Sequence, residues 1–450
     1  MKDNNVMSRK AEIENRFFDE KMETLPRDQI KLLQVERLKE SVVRMMRVPF
    51  FKEKFDAAGL TPDSVKSVDD IRRFPFTTKD DFRQTYPLGL LGDPIENVIR
   101  FHGSSGTTGK PTFVAYNRED LDIWSGLCAR FLVSGGLTPD QICQISFGYG
   151  LFTGGFGLHY GIEKVGAAII PVAAGNTARQ IMMLTDMKPR TIIATPSYLL
   201  NIAEEVVAAG IDPNSLNLRF AHLGGEPWTE DIRTAIESQL PIYCFDNYGL
   251  SEIGGPGVSG ECYMRNGMHF QEDHFIVECL DPETLEPVPD GELGELVITP
   301  LRRMAMPVCR YRTRDLARIM PDGCGCPCGR TGRRMTKLRG RTDDMLIIRG
   351  VNVFPSQIEI AMLTVPGVSP HYQIEVSRPG ALDQITLKVE LLPEAFSDSM
   401  SEMQSFREKI AHAVNSSTGL HIQIELFPPK TLERFLGKAK RVIDTRKLQS

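Results

Sequence analysis

The chain has 450 residues, with 53 lysines and arginines against 58 aspartates and glutamates and a formal charge of -5. That length exceeds what one hydrophobic core serves, so a large domain plus a smaller one is expected, and the charge offers no basic field for nonspecific nucleic-acid binding. No apolar run approaches a membrane span, and no hydrophobic segment follows Met1-Lys2-Asp3-Asn4-Asn5, so a cytoplasmic protein is expected.

From Thr24 to Met46 the residues Leu25, Leu32, Val35, Leu38, Val42 and Met45 recur at helical spacing, with Pro26 near the start, predicting an amphipathic helix. Val48-Pro49-Phe50-Phe51 breaks it, and Phe74-Pro75-Phe76-Thr77-Thr78-Lys79 leads into another helix start. These Pro-punctuated apolar stretches read as packing.

His102-Gly103-Ser104-Ser105-Gly106-Thr107-Thr108-Gly109-Lys110-Pro111 carries the chemistry. Glycines Gly103, Gly106 and Gly109 let backbone N–H groups turn inward, Ser104, Ser105, Thr107 and Thr108 add hydroxyl donors, and Lys110 adds positive charge, which together suit a polyphosphate. Five residues separate Gly103 from Gly109 where a P-loop has four, and Pro111 follows Lys110. Proline disfavours the helical region for the residue before it, so Lys110 does not open a helix. A hairpin that closes over nucleotide is expected instead.

Phe113 to Tyr116 reads as the returning strand and Glu119 to Ser134 as a helix ending at Gly135-Gly136. Phe147-Gly148-Tyr149-Gly150-Leu151-Phe152-Thr153-Gly154-Gly155-Phe156-Gly157 is too glycine-rich for a regular element. It reads either as a backbone-tight helix entry or as the wall of a flat pocket for an aromatic ligand. Ala167 to Val172 and Thr191 to Thr195 are apolar or β-branched runs approached through helical segments, the pattern of parallel strands covered on both faces. The middle of the chain is therefore α/β.

His222-Leu223-Gly224-Gly225-Glu226-Pro227 and Asp246-Asn247-Tyr248-Gly249-Leu250-Ser251-Glu252 read as loops at the carboxyl ends of such strands, where open parallel sheets bind ligands. Tyr248 suits stacking on a base, and Glu252 offers carboxylate oxygen to a magnesium ion bridging phosphates. Beyond Gly260, alternating runs such as Phe275-Ile276-Val277-Glu278 and Gly294-Glu295-Leu296-Val297-Ile298-Thr299 predict an antiparallel β subdomain over about 260–338. Tyr311-Arg312-Thr313-Arg314-Asp315 closes it, with Asp315 able to accept from both ribose hydroxyls. Within the subdomain, Cys324-Gly325-Cys326-Pro327-Cys328 holds three of nine cysteines, and Cys-x-Cys geometry can ligate one tetrahedral metal.

Gly340 to Gly350 is a charged connection, which places the boundary between a domain of 1–340 and one of 341–450. The latter reads as strand, helix and strand: Gln384 to Glu390, Ser401 to Val414, and Ile422 to Leu426. The tail Thr431 to Lys440 is a polar loop with Gly437 before Lys438.

In this order the loops resemble the adenylate-forming enzyme superfamily and, within it, the phenylacetate-CoA ligase family. The likeness runs from about Thr24 to the C-terminus and includes Gly225-Glu226-Pro227-Trp228 and Arg349-Gly350-Val351-Asn352-Val353-Phe354-Pro355-Ser356-Gln357-Ile358-Glu359. It implies an α/β domain of mostly parallel sheets flanked by helices with a β subdomain, and a small mobile α+β C-terminal domain. The implied chemistry has two steps. A carboxylate attacks the α-phosphorus of ATP to give an acyl-adenylate and pyrophosphate, then coenzyme A thiol displaces AMP.

By residue, the resemblance implies phosphate contacts at Ser104, Ser105, Gly106, Thr107, Thr108, Gly109 and Lys110. It implies adenine near Gly225, Glu226, Pro227, Asp246, Tyr248 and Gly249, ribose at Asp315, a further ATP contact at Arg341 and magnesium at Glu252. Lys438 would bridge the attacking carboxylate and the α-phosphate, and Asp343 would be the hinge of the small domain. An aryl acid would sit against Phe147, Tyr149, Gly150, Phe152 and Gly154. A structural zinc is implied at Cys262, His269, Cys326 and Cys328, with Cys324 and His274 as alternative ligands. The expected partners are an aryl carboxylic acid, ATP and coenzyme A, with neither nucleic acid nor membrane, and a homodimer is frequent among relatives. An adenylyltransferase that stops at AMP transfer, of the deazaflavin-coenzyme type, shares these loops and is the alternative.

Overall fold

A computed structural model describes residues 16–104, 111–321, 325–348, 351–378, 383–397, 399–435 and 439–448. The chain divides into two compact units, one of Met1–Ala194, Asn214–Gly225 and Pro241–Lys337, the other of Thr195–Pro213, Glu226–Leu240 and Leu338–Ser450.

The first unit opens with the helix Arg27–Met45, for which Pro26 is the N-cap residue. Ile30, Leu38, Val42 and Met45 form its buried face, but Leu32, expected on that face, is 71% exposed. Gln34 is buried instead, because its amide donates to the carbonyls of Glu272 at 2.8 Å and Phe275 at 3.0 Å. A polar side chain is accommodated in a core when its donors are satisfied.

Arg100–Gly103 (β1) and Phe113–Tyr116 (β2) form a two-stranded antiparallel hairpin. The main sheet takes Ile142–Ser146 (β3), Ala168–Ile170 (β4), Thr191–Ala194 (β5), Phe220–Leu223 (β6), Tyr243–Leu250 (β7), Gly255–Glu261 (β8), Met268–Phe270 (β9) and Arg334–Met335 (β13), in the order β13-β9-β8-β7-β6-β5-β3-β4. Strands β3 to β6 pair in parallel, as their unbroken apolar runs imply. Phe275–Leu280 (β10), Leu293–Pro300 (β11) and Tyr311–Arg318 (β12) pair antiparallel in a separate sheet.

Two sequence expectations change here. Asp246 to Leu250 is not a loop: β7 pairs in parallel with β6 as far as Asp246, then antiparallel with β8 from Asn247 to Leu250. The strand thus carries the sheet from its parallel half into its antiparallel half. Nor does the glycine-rich stretch lack regular structure, since Thr153–Val165 is a helix containing Gly154, Gly155 and Gly157. The glycines are spacers for close packing: a Cβ at Gly157 would stand 2.3 Å from the ring of Trp124, on the helix Arg118–Ser134. The helix-entry reading is thus correct.

The second unit contains the helices Pro196–Ala208 and Glu230–Gln239, then a four-stranded sheet in the order Gln423–Phe427, Gln384–Leu391, Val368–Ser377, Val442–Asp444. Helices Pro355–Leu363 and Met400–Thr418 add Ile358, Met362, Ile410 and Val414 to its core. Strand, helix and strand were expected; the structure adds Val368–Ser377 as a central strand. Its register shifts between Val368 and Tyr372, around Pro370, which interrupts the alternation that marks a strand.

Candidate active site

At the root of the phosphate loop, Ser104 and Thr112 are the first residues past the β1–β2 ladder, which ends where Gly103 faces Phe113. The Ser104 N–H donates to the Thr112 carbonyl at 3.0 Å and the Thr112 N–H to Ser104 Oγ at 3.1 Å. Thr112 Oγ1 lies 3.0 Å from Glu252 Oε1, joining the root to the expected magnesium residue. Ser105 to Lys110 lie outside the described residues.

Glu252 is 5% exposed, on the single turn Ser251–Ile253 that follows β7. Ser251 Oγ and Thr153 Oγ1 are 3.0 Å apart, so this turn is tied to the start of the aromatic helix. The phosphate root is tied to the same segment, for the Gly103 N–H donates to the Leu151 carbonyl at 2.8 Å. Three stretches far apart in sequence are thus laced together by backbone and hydroxyl hydrogen bonds.

Tyr248, in the antiparallel half of β7, donates its phenol to Asp315 Oδ2 at 2.8 Å, and both residues are buried. Gly249 follows in the same strand opposite Pro256, and the Asp246 N–H donates to Glu261 Oε2 at 2.8 Å. Phe147 is buried and stacked on the half-exposed Phe152, with centroids 5.8 Å apart and planes 11° from parallel. Gly225 has φ +84°, and a Cβ there would stand 2.8 Å from Phe147 Cζ. Gly154 closes the same group, with a hypothetical Cβ 2.6 Å from each phenylalanine ring. The Tyr149 hydroxyl lies 3.1 Å from His159 Nδ1, and its ring is edge-on to Phe156. Gly150 has φ +108°, a backbone conformation that favours glycine.

In the second unit, Glu226 is held by two backbone amides: Oε1 accepts from Ser197 N–H and Oε2 from Ala439 N–H, each at 2.7 Å. Its side chain therefore fastens the residue that follows Lys438, while Pro227 beside it is exposed. Lys438 itself lies outside the described residues. Arg341 meets Asp343 through both carboxylate oxygens, at 2.8 and 3.1 Å, so the expected ATP contact and the expected hinge are partners here.

Cys262, His269, Cys326 and Cys328 converge, their four ligand atoms all within 4.8 Å of one another. Cys262 Sγ and Cys326 Sγ are 3.7 Å apart, and Cys328 Sγ is 3.5 Å from His269 Nε2. Zinc–sulfur bonds near 2.3 Å place tetrahedral ligand atoms about 3.8 Å apart, so the spacing fits. The other ring nitrogen, His269 Nδ1, faces the Gly332 carbonyl at 3.4 Å, which turns Nε2 toward the sulfurs. Hydrogen bonds from Cys262 push the Cys326 and Cys328 thiols down, while those two sulfurs push Cys262 up. His274 pairs with Asp273 at 2.9 Å instead, and Cys324 lies outside the described residues.

Sequence reasoning missed Thr112, Thr153 and Ser251. Thr112 carried a signal, a hydroxyl two residues past Lys110, but a β-branched residue before a strand reads first as a strand former. The Thr153–Ser251 contact has no sequence signal at all.

Residues 95–301 match the AMP-binding enzyme family and residues 350–446 the AMP-binding enzyme C-terminal domain, which puts the chain in the class of adenylate-forming enzymes. It is 46% identical over 446 residues to the phenylacetate-coenzyme A ligase of Thermus thermophilus, covering 96% of this chain and 100% of that one. It is 44% identical over 430 residues to the enzyme of the same name from Escherichia coli, covering 95% and 97%. A crystal structure of 2-hydroxyisobutyryl-CoA ligase in the postadenylation state superposes with a TM-score of 0.89 at 28% identity, over 95% of this chain and 92% of that one. The chain belongs to the phenylacetate-coenzyme A ligase family, and it is an acid–thiol ligase. No described helix is long and apolar enough to cross a membrane.

Proposed function

We propose that the protein is an ATP-dependent aryl-acid coenzyme A ligase whose preferred acids are phenylacetate and compact relatives of it. The observation that carries this reading is 46% identity to a phenylacetate-coenzyme A ligase along the whole of that enzyme. The stacked Phe147–Phe152 pair supports an aromatic acid, because flat apolar walls suit a planar ring.

In the first half-reaction a carboxylate oxygen of the acid attacks the α-phosphorus, the bond to the bridging oxygen breaks, and pyrophosphate leaves. Ser104, Ser105, Gly106, Thr107, Thr108, Gly109 and Lys110 hold the β- and γ-phosphates. The hard oxygen donors around Glu252 suit magnesium, which when bound neutralises phosphate charge. Asp315 holds the ribose, with Gly225, Glu226, Pro227, Asp246, Tyr248 and Gly249 around the base. Lys438, carried on a mobile domain of 341–450, stabilises the charge that develops between carboxylate and phosphate. In the second half-reaction the coenzyme A sulfur attacks the acyl carbon, its proton is lost, and AMP leaves with the bonding pair. Rotation at Asp343 withdraws Lys438 and admits the thiol. Tyr149 and Gly150 complete the acyl pocket, and Arg341 adds a contact to ATP.

Zinc at Cys262, His269, Cys326 and Cys328 would have four protein ligands and no open position, so it stands outside the chemistry. A cytoplasmic homodimer completes the reading, and sedimentation of the purified protein checks its oligomeric part.

The test is incubation with ATP, magnesium, coenzyme A and a panel of carboxylic acids, following AMP and thioester together. Phenylacetate and its hydroxylated forms are expected to rank first. Higher specificity constants for octanoate or acetate, or AMP transfer without thioester, would overturn the reading.

A further inference from the structure

Thr112 is 1% exposed and Glu252 5% exposed, and Thr112 is the one described residue that donates a hydrogen bond to the Glu252 carboxylate. The hydroxyls of Thr112 and Ser104 lie 2.9 Å apart. Thr112 has a single hydroxyl proton, and an ionised carboxylate only accepts, so that proton goes to Glu252. The Ser104 hydroxyl then donates to Thr112 Oγ1, while Ser104 Oγ receives the Thr112 N–H at 3.1 Å. Each proton in this set has one destination. The result is a directed chain from the root of the phosphate loop to one oxygen of Glu252, with Oε2 not engaged by any described donor.

We propose that Thr112 is a positioning residue for adenylation: it fixes the plane of the Glu252 carboxylate and couples that plane to the phosphate loop. The inference rests on the reading of Glu252 as the magnesium-facing carboxylate. Magnesium demands near-octahedral geometry, so a carboxylate free to rotate presents its oxygen poorly. Removing the partner that orients a metal-binding carboxylate typically lowers metal affinity or activity by roughly 10 to 100-fold. The thioester step handles no pyrophosphate and has no use for the coupling.

The experiment compares Thr112→Val, which keeps the shape and loses the hydroxyl, with Thr112→Ser, which keeps the hydroxyl. Three quantities are read on the full-length protein: the rate of pyrophosphate exchange against magnesium concentration, thioester formation from supplied phenylacetyl-adenylate, and calorimetric binding of ATP with and without magnesium. For Thr112→Val the expected results are a roughly 10 to 100-fold slower exchange, a higher magnesium requirement and loss of the magnesium-dependent part of ATP binding. The thioester step is unchanged, and Thr112→Ser behaves like the wild type. If Thr112→Val does not melt cooperatively, Thr112→Ala carries the same expectations. Equal loss in both half-reactions, an unmoved magnesium requirement, or a Thr112→Ser variant as impaired as Thr112→Val overturns the proposal. Glu252→Gln, run in parallel, separates the two claims. Unchanged magnesium dependence there refutes the role given to Glu252, whereas a defect there without one in Thr112→Val refutes the positioning role alone.

Discussion

The Tyr248 phenol donates to Asp315 Oδ2 at 2.8 Å, joining the strand that leads to Glu252 to a strand of the second sheet in the same unit. A buried hydrogen bond to a charged group contributes about 1.5–3 kcal/mol, roughly 10 to 100-fold in an equilibrium. Tyr248→Phe is therefore expected to raise the KM for ATP by about 10-fold or more, because the carboxylate proposed to hold the ribose loses the group that orients it. The kcat should change far less. Steady-state kinetics with ATP as the varied substrate check it, and an unchanged KM would remove Asp315 from the ribose.

Gly154→Ala places a methyl where its Cβ would be 2.6 Å from both Phe147 and Phe152. Overpacking of this kind costs about 1–3 kcal/mol, and the phenylalanine pair must open to relieve it. The kcat/KM for phenylacetate should fall by more than that for acetate, which fills less of the pocket. Equal losses for both acids would mean that the pair does not line the acyl site.

One zinc per chain is expected from metal analysis of protein purified without chelator. Cys328→Ser should lower the melting temperature by several degrees and leave the Michaelis constants near the wild type, since structural zinc contributes folding energy. Metal-free protein with an undiminished melting temperature would count against the site.

Lys438→Ala should abolish adenylation yet still convert a supplied acyl-adenylate to thioester. Asp343→Pro, which fixes φ near about -65°, should do the reverse and let adenylate accumulate. Equal loss of both half-reactions in either variant would move that role to another residue.

His222 is fully buried on β6, and neither ring nitrogen has a hydrogen-bond partner among the described residues. Burial pushes its pKa from an ordinary 6.5 down to about 3. Between those values the unfolded chain binds a proton that the folded chain refuses, so this contribution to stability is full above pH 6.5 and is lost as the pH falls toward about 3. The slope approaches about 1.4 kcal/mol per pH unit for one such group. His222→Leu should flatten the acid limb of a stability-against-pH curve by up to one proton. A limb of unchanged slope would show that other groups set it.

By itself the sequence determined the class of chemistry and the order of its parts. Hydroxyls and glycines around Lys110, the carboxylate of Glu252 and the Cys-x-Cys pair are local, and their chemical character does not depend on the fold. The parallel strands were legible for the same reason, since runs buried on both faces leave a local apolar signal. What only tertiary structure decided are pairings across long separations: Thr112 with Glu252, Tyr248 with Asp315, and Gly225 with Phe147. Hydrogen bonds and metal–ligand spacing act over a few ångströms, so whether two residues meet is set by strand register and helix packing. Gly157 makes the point in reverse. Its sequence context left a helix entry and a pocket wall both open, and the ring of Trp124, which takes the space of a missing side chain, explains why a glycine stands in the helix there.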